Sequence, residues 1–341
     1  MHTSNSLKIC ILGAGSWGIA LAGHCQRIGH SVTIWEFDPD AAKMLRETRE
    51  RAAVLKGAKL PKEIKIISDL SESVRGADLV LLVVPSHVAR TVLKQLADTN
   101  LDNGAVLVNC TKGLEIDTHC RISEIVEQEL GHDALKRYAV LSGPSHAEEV
   151  AAGIPTAVVA ASADEIIARY VQQSLNGVNF RVYRSCDVIG VELGGSLKNV
   201  IAIAAGICDG AGFGDNTKAA LQPRGLAEIS RLGIQMGAEA LTFAGLSGMG
   251  DLIVTCMSRH SRNRFVGEQI GKGKTLKQVL DSMTMVAEGV KTSQAVVNLA
   301  GKMNVEMPIC SQVYKVLFKD KDPKQALHEL LTREVKPEFW Y

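Results

Sequence analysis

Two rhythms of apolar and polar residues divide the chain. Up to about residue 186, short β-branched runs recur at 7–12 (LKICIL), 31–36 (SVTIWE), 64–68 (IKIIS), 78–85 (DLVLLVVP), 105–110 (AVLVNC), 138–142 (YAVLS), 156–161 (TAVVAA) and 180–185 (FRVYRS). The fully apolar ones, such as LVLLVV, read as strands buried on both faces, as a parallel sheet requires. Helix-like stretches such as WGIALAGHCQRIG and ISEIVEQELG lie between them, and this β-α-β alternation predicts a doubly wound α/β sheet. Beyond residue 188 the strand pattern stops. Helical spacing runs over 189–208 and 216–236, then near 262–271, 275–282, 289–303, 309–318 and 323–331. Pro223 falls inside the second of these and predicts a break or kink. The expected organisation is an α/β domain over 1–188 and an all-α domain over 189–341.

Length agrees with two domains, since 341 residues exceed a typical single core. Apolar residues make up 46% and charged residues 22%, enough for a sizeable buried core. With 38 basic against 37 acidic residues the net charge is +1, which disfavours nucleic acid or an anionic membrane as main partner. The eight cysteines include no CxxC pair and several lie in apolar runs, a pattern of reduced thiols and not of a disulfide frame or a metal site. The start, MHTSNSLK, lacks a signal-peptide apolar region. The longest strictly apolar stretch, near 200–208, is too short to span a bilayer. A soluble cytoplasmic protein without membrane insertion is expected.

Candidate chemistry begins at residues 13–18, GAGSWG. This GxGxxG follows a strand and opens a helix, and the next strand ends in Glu36, which completes a Rossmann-type dinucleotide fingerprint. Gly13 permits the tight turn, Gly15 lets the pyrophosphate approach, and Gly18 lets helix and strand pack. Free N–H groups at the helix start face the phosphates. Glu36 stands where a carboxylate accepts the ribose hydroxyls and repels a 2′-phosphate, so NAD is expected over NADP. No arginine follows directly, the next residues being Phe37, Asp38 and Pro39. A solvated strand-end acid is the alternative for Glu36.

Later strands end in loops that carry small or polar residues: VVPSH (83–87), NCTKGLE (109–115) and SGPSHAEE (142–149). Ligands in open α/β sheets bind at such ends, which makes Lys112 a candidate as well as a possible solvated loop residue. In the second half, GLSGMGDLIVTC (245–256) carries one acid, Asp251, and SRHSRNRF (258–265) groups Ser261, Arg262, Asn263 and Arg264 at a helix start. An arginine fork with backbone donors suits a phosphate monoester; equally, Ser261 could simply cap the helix. Finally, Lys198 is the one charge in LGGSLKNVIAIAAGIC (193–208). A lysine desolvated there has its pKa moved from about 10.4 towards neutrality, as proton transfer to a carbonyl oxygen requires. Alternatively it snorkels to water along its stem. Asn199 could bind the same oxygen, although neighbouring helix positions diverge by about 100°.

In order, GAGSWGIALA, CTKGLE, SGPSHAEEVAAG, GGSLKNVIAIAAGICDG, RGLAEISRLG, GLSGMGDLIVTC and SRNRFVG, with VAEGVKT (286–292) and MPICSQVYKVL (307–317), resemble the bacterial-type NAD(P)-dependent glycerol-3-phosphate dehydrogenase family over nearly the whole chain. The resemblance implies an enzyme that reversibly reduces dihydroxyacetone phosphate to sn-glycerol 3-phosphate for glycerophospholipid synthesis, with that small phosphorylated substrate as its partner. It implies Lys198 as proton donor and acceptor. Lys112, Gly143, Ser145, Asp251, Ser261, Arg262 and Asn263 match substrate-contacting positions, and Lys112 and Asp251 are carried with the catalytic group. Ser16, Trp17, Lys112, Ala147, Arg262, Val286 and Glu288 match cofactor contacts, joined by Gly13, Gly15, Gly18, Glu36 and Phe37. The expected assembly is a homodimer. Two departures stand out: Glu36-Phe37 replaces a glycine and a basic residue common in the family, and Pro223-Arg224-Gly225 replaces Thr-Arg-Gly. Two rivals remain open from the residues themselves: a dehydrogenase of another hydroxy acid or of an acyl-CoA, and a nucleotide-sensing module without chemistry.

Overall fold

The computed structural model describes residues 6–99, 101–102, 104–335 and 337–338. The first five residues of MHTSNSLK and most of the aromatic tail KPEFWY lie outside the described residues. Eight strands form one sheet: β1 (Lys8–Leu12), β2 (Ser31–Trp35), β3 (Lys65–Ile67), β4 (Leu79–Leu82), β5 (Val106–Asn109), β6 (Tyr138–Ser142), β7 (Thr156–Ala161) and β8 (Phe180–Ser185). Their spatial order is β3-β2-β1-β4-β5-β6-β7-β8. The first six are parallel; β7 runs antiparallel to β6, and β8 parallel to β7. The chain reverses direction across the sheet between β1 and β4, whose Leu12 and Leu82 are paired. That is where an open α/β sheet has its crevice.

Alternation explains why both faces are apolar. Ile9 and Ile11 of β1 join the core on one face, while Cys10 and Leu12 join the core on the other. A third core lies among the later helices, joined by Leu114 from the loop after β5. Its axis is the Val188–Ala211 helix, 24 residues long and buried from Gly190 through Cys208. By length and hydropathy this helix could cross a bilayer, yet 89% of its most apolar window is buried inside the protein. The strictly apolar stretch near 200–208 is the later part of this continuous core helix, whose earlier turns carry Gly194, Gly195, Lys198 and Asn199.

Small residues set how closely that helix packs. Its first turns lie along β6, where Val191 clusters with Val140 and Ala161. A Cβ on Gly195 would stand 2.4 Å from Ser142 Oγ, and one on Gly194 2.7 Å from the Ser247 carbonyl oxygen. Further on, the Arg262–Gly271 helix crosses it backbone to backbone: a Cβ on Gly206 would meet the Arg264 carbonyl oxygen at 2.0 Å. The helix therefore passes β6 at Ser142 and carries Lys198 beyond the carboxyl end of the strand, into the crevice.

Two expectations are corrected. The Asp215–Gln235 helix runs through Pro223 without a break. Pro223 and Ala219, whose carbonyl loses its partner, are both exposed, so water can satisfy the freed oxygen. Between 236 and 258, where no helix was expected, lie a short Ala240–Ala244 helix, a π turn at Leu246–Gly250 and an Asp251–Met257 helix.

Candidate active site

A cavity of about 680 Å³ opens between the fingerprint loop, the ends of β4 and β5, and the helices of the second half. At its sheet end Gly13 has φ +114°, a region an L side chain rarely enters, and a Cβ there would lie 2.8 Å from the Val83 carbonyl oxygen. Gly18 packs so tightly that a Cβ would stand 2.0 Å from the Gly13 oxygen. By contrast nothing lies within 4 Å of a Cβ built on Gly15, which leaves room for a pyrophosphate at the start of the Ser16–Arg27 helix. Beside it, the Trp17 indole N–H is buried without a partner.

Glu36 lines this end and is only 3% exposed, so the solvated alternative is excluded. Its Oε2 accepts from Arg51 Nη1 at 2.7 Å, and the same guanidinium nitrogen donates to the Ala14 carbonyl at 3.1 Å. Sequence reasoning missed Arg51; nothing in the local pattern marks a loop arginine fifteen positions downstream as the partner of a strand-end acid. Phe37 is 73% exposed at the rim. These features fit an adenine dinucleotide: open backbone at a helix start, an orphaned indole donor and a buried ribose-side carboxylate.

At the other end two lysines share one carboxylate. Lys198 Nζ lies 2.5 Å from Asp251 Oδ1 and 2.6 Å from Thr255 Oγ1. Lys112 Nζ lies 2.8 Å from Asp251 Oδ2, 3.0 Å from the Gly143 carbonyl and 3.5 Å from Ser145 Oγ. Thr255 in turn donates to the Asp251 carbonyl, one helical turn back. The snorkelling alternative for Lys198 is thus excluded, because its ammonium is buried in an ion pair. Burial pushes its pKa down to about 8, with Lys112 pushing the same way and Asp251 opposing. Burial pushes the Asp251 carboxyl up, but the two lysines outweigh it and hold the group below the ordinary carboxylate range.

The loop that presents Lys112 is pinned on both sides. Thr111 donates from its N–H to Asn109 Oδ1 and from its hydroxyl to the Val84 carbonyl. Glu115 grips Arg90 through both carboxylate oxygens. Ser261 caps the Arg262–Gly271 helix by accepting from the Arg264 N–H at 3.1 Å, so the capping alternative describes what this serine does here. Arg262 follows on the cavity wall, its charge felt by Glu288 and Glu148. Asn263 Nδ2 donates to Asn199 Oδ1, and Asn263 Oδ1 accepts from the Gly289 N–H. Asn199 is therefore tied to the Arg262 helix, while Lys198 beside it points to Asp251. Glu288 accepts from the Ser86 hydroxyl at 2.6 Å, bridging the cavity mouth.

Of the residues singled out from sequence, Gly13, Gly15, Ser16, Trp17, Glu36, Phe37, Lys112, Ser145, Ala147, Lys198, Asn199, Ser261, Arg262, Asn263, Val286 and Glu288 line this one cavity. Gly18 and Gly143 support it from behind, and Asp251 lies beneath, between the lysines. Missed besides Arg51 were Thr255 and His146. The His146 ring also lines the cavity, with Nε2 buried and unpartnered. A threonine four positions after Asp251 was the available signal for Thr255.

A dinucleotide cradle that shares its cleft with a desolvated, acid-paired lysine defines a nicotinamide-dependent oxidoreductase of the two-domain kind. Comparison with known proteins specifies it further. Family models for the N-terminus and the C-terminus of NAD-dependent glycerol-3-phosphate dehydrogenase match residues 8–168 and 187–328. A glycerol-3-phosphate dehydrogenase [NAD(P)+] of Geobacter sp. (strain M21) is 51% identical over 331 residues, covering 97% of this chain and 98% of the relative. One of Thermoanaerobacter sp. (strain X514) is 48% identical over 336 residues, with 98% and 99% covered. The crystal structure of glycerol-3-phosphate dehydrogenase from Coxiella burnetii superposes with a TM-score of 0.91 at 39% identity, over 96% of this chain and 99% of that one. The chain belongs to the NAD-dependent glycerol-3-phosphate dehydrogenase family.

Proposed function

We propose that this enzyme reversibly reduces dihydroxyacetone phosphate to sn-glycerol 3-phosphate, the phosphate ester from which glycerophospholipids are built, with Lys198 as general acid and base. The observation that carries the reading is one cleft holding the Lys198–Asp251–Lys112 cluster beside the Ser261–Asn263 helix start.

Each part of the substrate finds a counterpart. Arg262 and the first N–H groups of its helix suit the phosphate dianion. A nicotinamide dinucleotide held by the Gly13–Gly18 loop and Glu36 would supply a hydride to the carbonyl carbon or, in reverse, accept one from the carbinol carbon. As the carbonyl oxygen gains negative charge, the Lys198 ammonium donates a proton to it and becomes a neutral amine; in the reverse direction the amine takes the hydroxyl proton. A pKa of about 8 lets Lys198 exchange that proton near neutrality. Lys112, already held by Asp251 and the Gly143 carbonyl, is a second preorganised cation for the developing alkoxide. Asp251 orients both ammonium groups and offsets the repulsion between buried Lys198 and half-buried Lys112.

NADH is the preferred cofactor in this reading. Glu36 already occupies the Arg51 guanidinium, so a 2′-phosphate would meet a carboxylate and would have to displace an ion pair to gain a partner. The test is loss of absorbance at the reduced-nicotinamide band with dihydroxyacetone phosphate against unphosphorylated dihydroxyacetone. Charged hydrogen bonds to the phosphate are each worth about 1.5–3 kcal/mol, so kcat/KM should drop at least about 10³-fold without it. Equal efficiency would contradict the assignment of the Arg262 helix to phosphate.

A further inference from the structure

One buried acid takes no part in the chemistry above. Glu192 lies on the same helix as Lys198, only 6% exposed, and its carboxylate is gripped from the dinucleotide-binding side by four donors. Oε1 accepts from the Ser123 N–H at 2.9 Å and from the Tyr138 hydroxyl at 2.6 Å; Oε2 accepts from the Ser123 hydroxyl at 2.7 Å and from Arg121 Nη1 at 2.9 Å. Ser123 and Tyr138 are themselves buried. Arg121 is fixed further by Glu124 and by the Ser123 hydroxyl.

Packing alone does not ask for this. A buried ion pair generally contributes no more stability than an apolar replacement of its size, and its distinctive property is to hold one geometry. Here the geometry held is the junction of the sheet with the helix that delivers Lys198. Glu192 is the only charged residue from Val188 to Leu197, and its partners come from the start of the Ile122–Leu130 helix and from β6. Lys198 follows six residues on, about 9 Å along a rigid helix at 1.5 Å per residue. A lysine ammonium stands roughly 8 Å from the helix axis, so a turn of about 10° moves it by about 1.4 Å. Misplacements of about 1 Å can cost roughly 10²-fold in rate.

We propose that Glu192 is a positioning residue: its four-donor grip sets the rotation and height of the Val188–Ala211 helix, and so holds the Lys198 ammonium in register with Asp251 and the substrate carbonyl. The inference rests on the reading of Lys198 as acid and base, and its test separates the two.

Glu192→Gln keeps the shape but gives one oxygen's place to an NH2 group that cannot accept from these donors. With the full-length enzyme, kcat for dihydroxyacetone phosphate should fall about 30-fold while KM for NADH stays within twofold. Placed in a Lys198→Met background, Glu192→Gln should change the residual rate less than twofold, because nothing remains to be positioned. An unchanged kcat in the single variant, or the same fold loss in both backgrounds, would overturn the proposal; a merely structural role predicts the latter. Should Glu192→Gln fail to fold by thermal unfolding, Tyr138→Phe removes one donor and keeps the ring, and a three- to tenfold loss with the same background dependence is expected. A Lys198→Met enzyme as fast as wild type would sink the Lys198 reading itself, and this inference with it, on its own arm.

Discussion

Lys112 and Lys198 hold opposite oxygens of one buried carboxylate, Asp251 Oδ2 at 2.8 Å and Oδ1 at 2.5 Å. The cluster carries two potential cations against one anion, and in the proposed mechanism it sits where the substrate oxygen becomes negative. Lys198 is therefore not neutralised outright; it is kept charged by a partner that another lysine also claims.

This arrangement fixes a pH dependence. In the proposed mechanism reduction needs the Lys198 ammonium, whose pKa is pushed down to about 8 chiefly by burial, so the reductive rate should fall as pH rises through about 8. Oxidation of glycerol 3-phosphate needs the amine and should rise over the same range. Asp251→Asn removes the charge that opposes burial, so the alkaline limb should move at least about one unit lower. Leaving the buried Lys198 and the half-buried Lys112 without their anion should also cost about 3–5 kcal/mol of stability. Steady-state pH–rate profiles and denaturant unfolding check both; a limb left in place would remove Asp251 from control of Lys198.

In the proposed reading, cofactor choice turns on the Glu36–Arg51 pair, 2.7 Å apart. Wild-type enzyme should use NADH with higher kcat/KM than NADPH. Glu36→Gln removes the repelling charge and frees the guanidinium for a 2′-phosphate, so kcat/KM for NADPH should rise at least about tenfold. Parallel assays with both cofactors decide it, and an unchanged ratio in the variant would show that the pair does not select.

The crossing of the Val188–Ala211 and Arg262–Gly271 helices ties the lysine to the end of the cleft proposed to face the phosphate. In Gly206→Ala the new methyl would meet the Arg264 carbonyl oxygen at 2.0 Å and the Glu268 N at 2.8 Å. Both are backbone atoms, so the helices must part, at a cost of about 1–3 kcal/mol or more. Because Arg262 and Asn263 move with that helix, KM for dihydroxyacetone phosphate should rise together with a lower melting temperature. Calorimetry and steady-state kinetics would contradict this by showing neither change.

Much of the fold was legible because burial on both faces writes an unbroken apolar run. The LVLL of β4 is buried at all four positions, and its neighbours in the sheet share the pattern. Helix ends were readable where chemistry marks them, as at Pro308 and Pro323 in first turns. No break follows Pro223 because a proline's effect depends on which way the freed carbonyl faces, a tertiary property. The segment before Asp251 was missed because GLSGMG has poor helix propensity, and its π turn is held by packing against Gly194. In the site, local motifs located the cradle, Lys198 and the Arg262 helix start. Pairings such as Lys198 with Asp251, Glu36 with Arg51 and Glu192 with Tyr138 join distant segments, and no periodicity encodes them.

The most direct test of the account is single-turnover and steady-state reduction of dihydroxyacetone phosphate by Lys198→Met, with NADH affinity measured in parallel by fluorescence. If Lys198 is the proton donor, the rate falls by at least about 10³-fold, in the range lost with a general acid and its charge, while the NADH Kd stays within about threefold. A variant that turns over within tenfold of wild type, with NADH bound equally well, would contradict it.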